Sequence, residues 1–492
     1  MTVTVYPTGT TIYEPQKCWN GFTILSTPMG KDAYLIDMNG NVVKCWKGFG
    51  GFPNKVFPGG YLLGSTGVRN RKYSFQDQLD LVQVDWDGNV VWKFDQHEYI
   101  SDPEEQPRWM ARQHHDYQRD GNPVGYYVPK MEPRVDGGNT LVLCHKNVRN
   151  AAISDRLLLD DAVIEVTWEG KTVWEWKVSD HFEELGFSRQ AKKVLARDPN
   201  VVGAGEGFGD WMHINSISKL GPNRWFDRGD KRFHPDNLVW SSRQANILAV
   251  IDKETGKLVW RIGPDYDLGS ELHVGADNTG KTSSAMGYII GPHHAHIIPR
   301  GLPGEGNLIL FDNGGWAGYG VSHPGSKNGL NNALRDYSRV IELDPVSLDI
   351  VWQYSPKEAG FVVPMAGNKF YSSIVSSAQR LANGNTLITE GVDGRVFEVT
   401  KEHEIVWEYV NPRFESYGAG GKVNLVYRAY RLPYEWVPQA PKPRQKAIHR
   451  PDNTQLRVPQ SGRARAVKAA ETAVETGGES QAQFCVVPVD ER

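Results

Sequence analysis

The chain has 492 residues, too many for one ordinary compact domain, so it is either several domains or one large repetitive architecture. Its 51 glycines, 29 prolines and 16 tryptophans favour tight turns and large flat side chains, which suits all-β packing and argues against a helical bundle. With 55 basic against 58 acidic residues and a net charge of -3, there is no cation excess to condense on phosphates or anionic lipid. Nucleic acid and membrane are therefore not expected partners.

The opening MTVTVYPTGTTIYEP has no basic stretch, apolar run or small-residue cleavage site, and no apolar run approaches the ~18 residues of a membrane span. A cytoplasmic location is the expectation. Cys18, Cys45, Cys144 and Cys485 show neither metal-ligand spacing nor a disulfide framework, which fits a reducing compartment.

Along the chain one phrase returns six times: a strand-like run, a turn, then a run ending in V-W or a close variant. In order, the copies end at Trp46 (with Lys44 where the others carry Trp), Trp92, Trp174, Trp260, Trp352 and Trp407. Each reads as two period-2 strands around a short turn such as Asp87-Gly88-Asn89, the pattern of a β-hairpin. Ahead of most copies lies another short strand, as in GGYLLGS, GNLILFD and GNTLITE. Three strands per copy, plus one outer strand too variable to see, predict a six-bladed β-propeller, all-β, with long inter-strand insertions and a C-terminal extension. The expected boundaries are an N-terminal arm over 1–20, the propeller over 21–412 and an arm or flexible tail over 413–492.

The first strand of a blade borders the central channel, so residues at one register before it converge on the axis. Counting back from the turn glycines places His213, His293 and Ser376 in one register, with His115, or less directly His114, as the equivalent one blade earlier. Six of the 14 histidines fall in the stretches 114–115, 213 and 293–296. A lone histidine is usually a satisfied core residue, but convergence from successive blades marks a site. Asn215 follows His213, and Arg243 closes the strand DNLVWSSR. A fixed guanidinium beside imidazoles and an amide suits a tetrahedral oxyanion. Arg339, in DYSRVIE, is a weaker candidate of the same type.

WMHINSIS, SSRQANILAVIDKETGKLVW, PHHA, LILFDNGG and YSRVIELD, in that order, resemble the PAPS-independent aryl-sulfate sulfotransferase family from about Gly21 to Pro412. The resemblance implies that a propeller-axis histidine, here His293, takes a sulfuryl group from an aryl sulfate as sulfohistidine and passes it to a phenol. It also implies that His213, Asn215, Arg243 and His115 complete the catalytic set. His114, His294, His296 and Arg339 are expected around a small aromatic substrate, and no cofactor is required. A homo-oligomer is left open.

Two other readings compete. Imidazoles converging on an axis are also a transition-metal site, with His115, His213, His294 and His296 as ligands of a hydrolase, lyase or oxygenase. A propeller can also be a binding scaffold with no catalysis, which would not need axial histidines.

Overall fold

The computed structural model describes residues 7–450, apart from 29, 71, 74–75, 201–207, 265–271, 275–279, 283–286, 334, 364 and 417–420. Six antiparallel sheets, five of four strands and one of five, follow one another along the chain. Blade two is Lys55–Phe57, Tyr61–Gly64, Leu81–Val84 and Val90–Phe94; blade three is Gln113–Arg119, Thr140–Asn150, Ser154–Val166 and Thr172–Lys177. Blade four is Ile214–Lys219, Leu238–Ser242, Ile247–Ile251 and Leu258–Ile262; blade five is His293–Ile297, Leu308–Asp312, Arg339–Leu343 and Ile350–Tyr354. The first strands of blades three to six pack against one another in sequence, and that of blade six against Arg428–Leu432, so these strands ring the axis.

Both expected arms are corrected by the strand order. Arg428–Leu432, placed in the tail by sequence, is the inner strand of blade one, ahead of Phe22–Ser26, Asp32–Ile36 and Val42–Lys47. Gly9–Tyr13, placed in the N-terminal arm, adds a fifth, outer strand to blade six beyond Ser377–Arg380, Thr386–Glu390, Arg395–Val399 and Ile405–Val410. The ends of the chain thus close the ring from both sides. Residues 451–492, the rest of the expected tail, lie outside the described residues.

The strand that sequence reading could not see is the innermost, not the outermost, so the repeated tryptophans lie on the fourth strand of each blade. The inner strands of blades three to five are buried along almost their whole length, polar residues included, which removes the period-2 signal on which strand reading depends. The fourth strand instead has one exposed face, and its tryptophan reaches the next blade. The indole of Trp92 donates to Trp168 O at 2.7 Å, Trp174 to Lys253 O at 3.1 Å, Trp260 to Pro345 O at 2.8 Å and Trp352 to Lys401 O at 3.0 Å. Every acceptor lies in the outer hairpin turn of the following blade. Trp92 and Trp260 are buried, whereas Trp174 and Trp352 are only partly covered.

The long insertions are present. Between blades three and four lie a 3-10 turn, Val178–Leu185, and the helix Arg189–Arg197, capped by Ser188 Oγ accepting from Ala191 N at 3.1 Å. Blade five carries the hairpin Ala317–Tyr319 and Leu330–Ala333 between its second and third strands.

Candidate active site

The inner strands of blades three, four and five are each interrupted by a bulge, between Gln113 and Tyr117, Ile214 and Ser216, and His293 and His296. At or beside each bulge one histidine is left-handed: His115 at φ +57°, His213 at +52° and His294 at +55°. Such a backbone costs about 1–3 kcal/mol at a residue other than glycine and is kept where it aims a side chain. His293 stands one residue ahead of the left-handed His294.

His293 is buried. Its Nδ1 lies 2.7 Å from Asn313 Oδ1 and 3.0 Å from Gly291 O, both acceptors, so Nδ1 carries the proton. The Asn313 amide cannot turn, because its Nδ2 donates to Ser372 O at 2.7 Å and Val375 O at 2.8 Å. None of the described residues hydrogen-bonds His293 Nε2, so that atom holds a lone pair. Burial, then the Arg243 charge, pushes the imidazole down to about 3, despite the opposing bond to Asn313. His293 is therefore a neutral imidazole across the physiological range. A Cβ added at Gly291, φ +60°, would lie 3.8 Å from Arg243 Cγ and 4.0 Å from Asn313 Cβ, so Arg243 and Asn313 flank the turn into His293.

His213 and His115 meet edge to face with ring centroids 4.6 Å apart. His213 Nδ1 sits 2.6 Å from Asp210 Oδ2. Burial opposes ionisation of Asp210, but the neighbouring His213 holds its carboxyl below the ordinary value. His115 is pushed well down by burial, then by His213, His114 and His293, which places all four imidazoles within electrostatic reach. His115 Nδ1 is 2.8 Å from His114 Nδ1, and Tyr427 OH donates to His115 O at 3.0 Å.

A cavity of about 650 Å³ opens from this cluster between blades one, two and six, and its walls include Phe52, Gln78, His115, Val375 and Tyr427. Phe52 meets the His115 ring at 5.6 Å and the Tyr427 ring at 4.7 Å. Of the histidines expected at the site, only His115 lines this cavity.

The other expected residues divide. Asn215 is in the cluster, but its amide is spent on structure: Nδ2 donates to Pro292 O at 2.7 Å and Oδ1 accepts from Ser241 Oγ at 2.7 Å. It locks blade four to the residue before His293 rather than facing a ligand. His294 and His296 belong to a second buried group, with Tyr430 OH 3.1 Å from His294 Nε2 and Tyr126 OH 2.8 Å from His296 Nε2. The four-histidine metal set His115, His213, His294 and His296 is therefore split between two groups. Arg339 is turned to Asp312 Oδ2 at 2.7 Å and Tyr288 O at 3.0 Å. His114 does not line the cavity and stacks on His145, centroids 3.7 Å apart.

Asn313, Asp210, His145, Asp161 and Tyr427 were not singled out by sequence. Asn313 lay inside the quoted LILFDNGG run, while Tyr427 lay beyond the expected end of the propeller.

The arylsulfotransferase (ASST) family model matches residues 132–427, more than half the chain. This chain belongs to the arylsulfotransferase family. The matched segment holds His213, Arg243, His293 and Asn313 and ends at Tyr427; the His114-His115 pair lies before it. Membership supports sulfotransferase activity in general. No curated protein matches the sequence. Among solved structures, one similar chain is a protein of unknown function from Bacteroides caccae, with 11% identity, 84% of this chain and 99% of that chain covered, and a TM-score of 0.42. Another is virginiamycin B lyase from Staphylococcus aureus, with 11% identity, coverage of 84% and 88%, and a TM-score of 0.31. A third is the Cps50 (Swd1) β-propeller domain of Myceliophteria thermophila, with 10% identity, coverage of 87% and 99%, and a TM-score of 0.35. Among the described residues no helix is long and apolar enough to cross a membrane.

Proposed function

We propose that this arylsulfotransferase-family protein moves a sulfuryl group from an aryl sulfate to a phenol, without PAPS, through a sulfohistidine at His293. The observation that carries the reading is the bond from His293 Nδ1 to the immobilised Asn313 amide, which leaves Nε2 as an unprotonated, buried lone pair. In the first half-reaction Nε2 attacks sulfur, the N–S bond forms and the S–O bond to the aryl group breaks. In the second, the acceptor oxygen attacks the same sulfur and the N–S bond breaks.

Arg243 supplies the fixed positive fork for the sulfuryl oxygens, as transfer through a trigonal, anionic group requires. His213 is held by Asp210 and packs edge to face on His115. His115 lies at the wall of the cavity and lends a proton to the departing aryl oxide, regaining it from the acceptor phenol. The phenyl groups fit against Phe52 and Tyr427.

The experiment is intact-protein mass measurement after brief exposure to an aryl sulfate without acceptor. One added sulfuryl group, localised to His293 and discharged by phenol, is expected. Turnover without any adduct, with kinetics requiring both substrates bound at once, would overturn the covalent route.

A further inference from the structure

Next to His115, three wholly buried side chains that do not line the cavity converge: His114, His145 and Asp161. His114 Nε2 is 3.2 Å and His145 Nε2 3.7 Å from Asp161 Oδ1, yet none of these three atoms makes a hydrogen bond. Their other polar atoms are all occupied. His145 Nδ1 lies 2.6 Å from Asp77 Oδ1, while Asp77 Oδ2 is held by Arg112 and Arg69 at 2.7 and 3.0 Å. Asp77 is thus an ionised acceptor, His145 carries its proton on Nδ1, and its Nε2 offers a lone pair. Asp161 Oδ2 accepts from Ile214 N at 3.0 Å, leaving Oδ1 directed at the two imidazoles.

Charge makes the vacancy of these atoms costly. Asp210 lies close enough for its charge to act on His114, His145 and Asp161, and its Oδ1 is also buried without a partner. No lysine or arginine pairs with Asp161 or Asp210 among the described residues. Two buried carboxylates with no lysine or arginine beside them need a compensating positive charge or a proton.

We propose that His114 Nε2, His145 Nε2 and Asp161 Oδ1 hold a divalent first-row transition-metal ion, with Asp210 Oδ1 as a fourth donor. Ligands at ~2.0–2.1 Å around a tetrahedral ion stand about 3.3 Å apart, close to the two separations present. Two imidazoles and carboxylate oxygen suit zinc or its neighbours. Asp77 on His145 is the carboxylate–histidine support usual behind a metal-bound imidazole. The rings are now stacked with 17° between their planes, so binding tilts them apart until both lone pairs meet at the ion.

A metal on His114 Nε2 fixes that ring's proton on Nδ1, where it is donated to His115 Nδ1. His115 then carries its own proton on Nε2. If the transfer reading above holds, an ion here would also fix which nitrogen of His115 carries its proton. The site itself does not depend on that reading.

The test uses full-length protein purified without a histidine tag. Metal content after dialysis against zinc is expected near one ion per chain. Cobalt substitution is expected to give a visible absorption band, and X-ray absorption of the zinc-loaded protein a shell of imidazole and oxygen without sulfur. Asp161→Asn and His145→Gln should each lose the ion at least ~10-fold more readily to chelator, while His323→Ala, on an exposed histidine, should retain it. Failure of the unaltered protein to take up zinc or cobalt would overturn the proposal, as would a shell without imidazole or retention by both variants. These readouts need no sulfuryl transfer, so an inactive but metal-bound protein would refute the transfer reading alone.

Discussion

Trp407 Nε1, on the last repeat, donates to Met38 O, in the outer turn of the first blade, at 2.7 Å. The contact repeats the tie seen between successive blades and completes the ring together with Gly9–Tyr13 and Arg428–Leu432. Trp46 is the exception. Its indole nitrogen has no partner, and it meets Trp86 of the next blade edge to face at 5.7 Å instead.

Trp407→Phe keeps most of the buried ring and removes that bond, leaving a buried carbonyl short of a donor. The expected loss is about 1–3 kcal/mol, read as a lower urea midpoint. Trp352→Phe, at a partly exposed copy of the same tie, should cost under ~1 kcal/mol. Equal losses would show that closure of the ring is no more sensitive than any other blade junction.

For catalysis, His293→Ala should abolish transfer and the sulfuryl adduct together. Asn313→Ala removes the acceptor that fixes the tautomer, and kcat should fall by ~10²–10⁴ with the aryl-sulfate KM little changed. A full-rate Asn313→Ala enzyme would mean that the Nδ1 bond does not set the nucleophile.

Arg243→Lys keeps the charge but not the planar fork, so a decline of about 10²-fold in kcat/KM is expected. A loss below a few-fold would remove Arg243 from the sulfuryl-binding role. Asn215→Ala should act differently, lowering stability as well as rate, because its amide ties blade four to Pro292.

Stability should fall on the acid side of pH ~6.5, the unperturbed histidine value. Burial holds His114 and His293 down to about 3 and His296 to about 4, with His115 and His294 also depressed. The unfolded chain therefore takes up protons below pH ~6.5 that the folded chain refuses until far lower pH, and stability is lost progressively across that window. Asp160 and Asp161, raised to about 7 chiefly by burial, act in the opposite sense, since their unfolded forms ionise first as pH rises. The histidines outnumber them, so the melting temperature should drop between pH 6.5 and 4.5. A flat profile there would show that the imidazoles are not held neutral.

Sequence alone determined the six repeats and their tryptophans, because the outer hairpins have one exposed face and tight turns, such as the one at Gly88 with φ +93°, that leave a local pattern. It also brought forward His115, His213, His293 and Arg243, since residue type and order survive in a linear reading. Only tertiary structure decided which partners the atoms of those residues take. Arg428–Leu432 pairs with Phe22–Ser26 across some 400 residues, a contact with no local signature. His294 was separated from its neighbour His293 by a bulge and a left-handed backbone, which no spacing rule foretells. Asn215 and Arg339, polar residues at plausible positions, were claimed by buried backbone and carboxylate partners instead. A buried polar side chain takes whichever partner the packing supplies, and that partner is set by contacts between blades, not by residues nearby in the chain.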